Sequence, residues 1–148
     1  MHRPARGFTM VELIIVISLM GIMATLAMTR SVNRTSLHEI GFRDQLKGLI
    51  RHARKLAISQ QRNVCVLLSA NQASGVYANG AACDPAAPIA EPGSSSAFVL
   101  QVPSGVVLAG PLAVQFDSTG QPVPNVNQAI NVGATPVLTV SRATGIVF

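Results

Sequence analysis

The chemistry-bearing side chains of this 148-residue chain are three histidines, six acids, two cysteines and a serine run. His2, His38 and His52 have no second ligand at the helical spacing that brings two donors to one metal ion. Asp84, Glu91 and Asp117 are isolated in turn-rich stretches, so no carboxylate pair for general acid–base work is legible. Ser94-Ser95-Ser96 has no base nearby, and the glycines form no phosphate-binding pattern. Together these patterns argue against an enzyme and against a bound metal or cofactor. Cys65 and Cys83 flank a Ser/Asn/Gly-rich stretch, which suggests one structural disulfide in an oxidising compartment. Two unpaired, half-buried thiols are the alternative. The last chemical group is Glu12, the single charge between Phe8 and Thr29.

The element that must position Glu12 is an apolar run from Val11 to Met28. About 20 apolar residues make a helix that crosses a bilayer, and a carboxylate at the centre of such a helix costs on the order of 3 kcal/mol. Arg3 and Arg6 precede the run, which predicts a cytoplasmic N-terminus with everything after Arg30 on the far side. A secretory signal would carry its small cleavage-site residue after the apolar run, whereas Gly7 stands before it. Hydrophobic residues make up 49% of the chain and charged ones 11%, a balance that points to a membrane segment or a surface covered by other subunits.

The basic excess belongs to one segment. Residues 1–29 carry Arg3, Arg6 and Glu12, a net +1; residues 30–62 carry eight Lys/Arg against Glu39 and Asp44, a net +6. Residues 63–148 carry Arg142 against Asp84, Glu91 and Asp117, a net −2. No proline interrupts Phe8 to Arg62, so a helix is predicted to continue well past the membrane, with fraying expected over 29–35. Phe42, Leu46, Leu49, Ile50, Ala53, Leu56 and Ala57 recur at 3.6-residue spacing and predict a core face. Arg43, Lys47, Arg51, Arg54, Lys55 and Arg62 are expected on the opposite face. That basic stripe has three readings: a solvated face, a surface that meets acids on adjacent subunits, or a contact for nucleic-acid phosphates.

From Asn63 the pattern changes to short apolar runs between Gly/Pro turns. Strands are predicted over 64–68, 75–78, 97–102, 106–108 and 114–116, with a final hairpin of 136–141 and 146–148 around Arg142-Ala143-Thr144-Gly145. Residues 84–96 and 121–133 read as loops because they are rich in Pro, Asn and Ser. The fold class is therefore α+β, with a long N-terminal helix packed on an antiparallel sheet or small β-sandwich.

Gly7-Phe8-Thr9-Met10-Val11-Glu12-Leu13-Ile14 resembles the processing site of type IV pilins and type II secretion pseudopilins. The resemblance implies that a prepilin peptidase cuts between Gly7 and Phe8 and methylates the Phe8 amine. It also implies that Glu12, one helical turn from that amine, pairs with the N-terminus of a neighbouring subunit during assembly. Phe116-Asp117-Ser118-Thr119-Gly120-Gln121-Pro122 and the terminal Leu138 to Val147 segment look like the C-terminal repertoire of the GspH/FimT branch. Some members of that branch bind DNA through arginines in the tail. Here the tail reads Gly145-Ile146-Val147-Phe148, with only Arg142 nearby, a departure from that pattern.

The resemblance thus implies four segments: a leader over 1–7, a transmembrane and assembly helix over 8–29, a periplasmic helix half over 30–62 and a β-rich domain over 63–148. The implied role is a structural minor subunit of a type IV pilus or secretion pseudopilus, anchored in the inner membrane before it enters the filament. Its partners would be the peptidase and other pilin or pseudopilin subunits. The alternative role is a pilus-associated DNA receptor using Arg43, Lys47, Arg51, Arg54, Lys55 or Arg142.

Overall fold

The computed structural model describes residues 8–29 and 34–148, with side chains placed for 8–25 and 35–148. Gly7 and the rest of the leader lie outside the described residues, as do residues 30–33 within the stretch expected to fray. The chain divides into two units at the Arg34/Thr35 junction.

The first unit holds α1 (Met10–Thr29). Its apolar residues are spread round the whole helix, and Leu13, Ile14, Ile15, Val16, Ile17, Leu19, Ile22 and Met23 are all exposed. The two hydroxyls in the run turn back on the helix: Ser18 Oγ donates to the Ile14 carbonyl and Thr25 Oγ1 to the Ile22 carbonyl, both at 2.7 Å. Among the described residues no helix is long and apolar enough to cross a membrane. Side chains are described only to residue 25 of a helix whose backbone runs on to Thr29. The transmembrane expectation for 8–29 therefore stands on the sequence.

The second unit is built on α2 (Arg34–Gln60). Six of the seven residues in the expected stripe are buried, and Leu56 packs half-buried at its margin. The helix closes with a left-handed residue, Gln61 at φ 51°, and Arg62 N–H donates back to the Ala57 carbonyl at 3.2 Å. This six-to-one bond satisfies a carbonyl that the helix end would otherwise leave open.

Among the described residues nine strands follow: β1 (Val64–Leu68), β2 (Gln72–Asn79), β3 (Ala82–Pro88), β4 (Val99–Gln101), β5 (Leu108–Ala109), β6 (Ala113–Phe116), β7 (Pro122–Val123), β8 (Gln128–Val132) and β9 (Leu138–Val140). They make two antiparallel sheets. One runs β3-β2-β1-β6-β7, with β4 beside the first half of β2; the other runs β5-β8-β9. Residues 146–148 extend the second sheet through a Val140–Val147 bridge and main-chain bonds between Thr139 and Phe148. One core joins α2 to both sheets: Phe42, Leu46 and Leu49 share it with Val64, Val66, Val114 and Phe116 from the first and Ile130, Leu138 and Val140 from the second.

Two predicted loops prove to hold strands. Within 121–133, β8 alternates cleanly, with Gln128, Ile130 and Val132 buried and Ala129 and Asn131 exposed. Within 84–96, the second half of β3 is an edge strand containing Pro85 and Pro88, and its register against β2 shifts between Val76 and Ala78. Edge position and a bulge are where a strand tolerates proline. Cys65 faces away from the core side of β1 yet is fully buried, because Cys83 bonds to it from β3. The disulfide ties the irregular edge back to the central strand, and it resolves the thiol alternative.

Candidate assembly site

At the head of α1, Thr9 is the N-cap. Its Oγ1 accepts the Glu12 N–H at 3.3 Å and its carbonyl accepts the Leu13 N–H at 3.2 Å. Glu12 thus occupies the third helical position of a Thr-x-x-Glu pattern, and the Thr9 hydroxyl makes its half of a capping box. A carboxylate in the first turn also faces the positive end of the helix dipole. These local roles add to any pairing role, and the Thr9–Glu12 spacing in the sequence carried the signal for them. Phe8, one turn before Glu12, is 80% exposed, and Glu12 itself is exposed. The head of α1 therefore presents its carboxylate outward.

The basic residues of α2 do not form one outward stripe. Arg43, Lys47 and Arg54 are half-buried on the flanks of the core face, while Arg51 and Lys55 are exposed. Arg43 Nε donates to the Pro136 carbonyl at 3.1 Å, and Arg54 Nε donates to the Gly120 carbonyl at 3.2 Å. Arg43 also lies 3.8 Å from the exposed Asp44 carboxylate. Arg62 stacks over the Tyr77 ring, 4.6 Å from its centroid. Two of the cations expected to face outward thus fasten loops of the domain to the helix. Their partners are main-chain carbonyls, which leave no mark in a sequence.

Glu39 belongs to the same fastening. It is buried near the start of α2, where the Ala134 N–H donates to its Oε2 at 3.3 Å. Glu39 and Arg43 together hold residues 134–136, and Arg54 holds the 117–122 turn. That turn is organised by Asp117, whose Oδ1 accepts from the Thr119 hydroxyl at 2.6 Å and from the Thr119 and Gln121 main chain at 2.9 Å. Partial burial raises the Asp117 pKa, but the hydrogen bonds from Thr119, Gln121 and Gly120 outweigh it and leave the carboxyl below the usual aspartate value. Gly120 (φ +80°) and Gly145 (φ +66°) meet against Arg54. A side-chain carbon at Gly145 would strike the Gly120 carbonyl. The two turns singled out in the sequence are therefore one packed feature on α2.

Arg142, at the tip of the last hairpin, has an exposed side chain, and its main-chain N–H donates to Asn127 Oδ1 at 2.9 Å. His38 is exposed. His52 lies beside the Phe98 ring, with Nε2 3.2 Å from the Ala90 carbonyl. Among the described residues no group of three or more His, Cys, Asp or Glu could hold a metal ion.

Residues 2–28 match the prokaryotic N-terminal methylation motif. The fold is similar to the type IV minor pilin FimU of Pseudomonas aeruginosa strain PAO1 in two crystal forms. The first gives a TM-score of 0.56 at 15% identity, covering 73% of this chain and 89% of that one. The second gives 0.54 at 15% identity, covering 78% and 87%. No curated protein sequence matches the chain significantly. The chain thus carries an N-terminal methylation motif ahead of a pilin-like α+β fold.

Proposed function

We propose that this chain is a structural minor subunit of a type IV pilus or type II secretion pseudopilus. A prepilin peptidase cleaves it after Gly7 and methylates Phe8, and it enters the filament through α1. The observation that carries this reading is the methylation motif over 2–28, set on a helix whose described side chains, apart from Glu12, Ser18 and Thr25, are apolar and exposed all round. A helix of that kind requires lipid or other helices as its surroundings. The backbone of α1, 20 residues long, is about 30 Å at 1.5 Å per residue, the thickness of a hydrocarbon core.

Cleavage would create a positive amine on Phe8, four residues before Glu12. In apolar surroundings an exposed carboxylate gains most by meeting such an amine on a neighbouring subunit. The subunit would wait in the inner membrane, with its N-terminus cytoplasmic and residues 30–148 periplasmic. Its partners would be the peptidase and other pilin or pseudopilin chains. The DNA-receptor alternative is less well supported, since Arg43 and Arg54 are committed to carbonyls and the tail carries Ile146 and Val147 in place of arginines.

Mass spectrometry of the chain isolated from membranes of its host tests the proposal. The expected N-terminus is N-methylated Phe8. A mature chain that still begins at Met1 would overturn it.

A further inference from the structure

The last three residues form an open sheet edge. Thr139 and Phe148 exchange both main-chain hydrogen bonds, and Ser141 N–H donates to the Ile146 carbonyl. Val147 is the intervening residue, bridged to Val140, so its own N–H and carbonyl point away from β9. Among the described residues neither group has a main-chain partner. Gly145, Ile146 and Val147 instead form one wall of a groove of about 220 Å³ whose other wall is Arg51, Arg54 and Lys55. Unpaired strand edges are templates for another strand, and this one is bordered by cations.

We propose that this groove receives an extended acidic segment of a different filament subunit, which adds to the sheet beside Val147. The inference rests on the filament-subunit reading and names the chemistry of one contact within it. Period-two alternation fixes what the segment must look like. A residue paired with Val147 projects its side chain to the α2 side, where Arg51 and Lys55 are exposed, and a carboxylate fits there. Its neighbours project to the other face, beside the exposed side chains of Ile146 and Phe148, and apolar residues fit there. The segment therefore alternates acidic and apolar residues.

A nucleic-acid phosphate suits the groove less well. It could take the Val147 N–H and the cations, but it would face the Val147 carbonyl with like charge. A peptide main chain satisfies both groups. This chain's own edge strand β3, which carries Asp84, is an unsuitable occupant, because Pro85 and Pro88 interrupt its donors.

The test uses the full chain in detergent micelles with a fluorescein-labelled heptapeptide of alternating Glu and Val, read by fluorescence anisotropy. Binding is expected, and Arg51→Glu with Lys55→Glu should weaken it roughly tenfold or more. The same heptapeptide with all its backbone nitrogens methylated should not bind. Undiminished binding of the methylated peptide, or indifference to the double charge reversal, would overturn strand addition. So would a 20-base-pair DNA duplex that binds through Arg51 and Lys55 while the heptapeptide does not. The N-terminal mass of the same preparation separates the two claims. A chain starting at Phe8 that ignores the peptide removes the groove proposal alone, and a chain starting at Met1 removes the filament reading whatever the peptide does.

Discussion

The two helices carry apolar residues in opposite ways. α2 concentrates them on one face, and six of the seven stripe residues vanish into a core with two sheets. α1 spreads them round its circumference, and every large apolar side chain described there is exposed. A helix with one greasy face announces a partner within its own fold, whereas one greasy all round calls for apolar surroundings from elsewhere. Stability of the domain is therefore written in α2, and the proposed role in association rests on α1.

A matched set of substitutions would break that division if it is false. Leu49→Ala should cost about 3–5 kcal/mol of domain stability, since it empties a fully buried site. Ile15→Ala, in α1, should leave the denaturation midpoint of the same detergent-solubilised chain unmoved. Glu12→Ala should also leave it unmoved, yet lower recovery of the subunit in sheared filaments roughly ten- to a hundredfold, the equivalent of about 1.5–3 kcal/mol for a charged hydrogen bond. Normal incorporation of that variant would count against a docking role for the carboxylate.

Gly145→Ala sharpens the α2 side of the comparison. It places a side chain at positive φ and against the Gly120 carbonyl, so a loss of about 2–3 kcal/mol is expected in chemical denaturation. A neutral result would mean that the two turns do not pack on Arg54 as one unit. The smallest effect concerns Asp117. Its folded pKa is lowered, so its contribution is present above the unfolded value of about 3.9 and fades as pH falls through the folded value. Between pH 5 and pH 2 the wild-type chain should lose slightly more thermal stability than Asp117→Asn, whose side chain does not titrate. Parallel melting curves would deny the carboxylate that role.

Periodicity made the core face of α2 legible, since Phe42 to Ala57 repeat at helical spacing. Glu12 stood out as a lone charge in an apolar run, whereas the processing expected at Phe8 and the pairing expected of Glu12 came from the resemblance carried by residues 7–14. Strand β8 escaped because its first inward residue is Gln128 and its neighbourhood is rich in Pro and Asn. Its alternation through Ile130 and Val132 was nonetheless present in the sequence. The edge strand β3 escaped because Pro85 and Pro88 read as loop, and its pairing with β2 and the bridge between Cys65 and Cys83 show how such a segment is held. The inward turn of Arg43 and Arg54 could not be read at all. A cation meeting a main-chain carbonyl looks the same in sequence as a cation meeting water.

Ser18 and Thr25 lend α1 a further property. Each hydroxyl donates a hydrogen bond to a carbonyl of its own helix, so neither depends on the surroundings for a partner. Apart from Glu12 at its head, the described shaft asks nothing directional of its medium, and lipid tails and neighbouring apolar helices serve it almost equally. Moving such a shaft from one to the other is close to isoenergetic along its length. On the filament-subunit proposal, the carboxylate end would act as the index mark on an otherwise smooth rod, setting where the sliding stops, and the same smoothness would let the rod be withdrawn again.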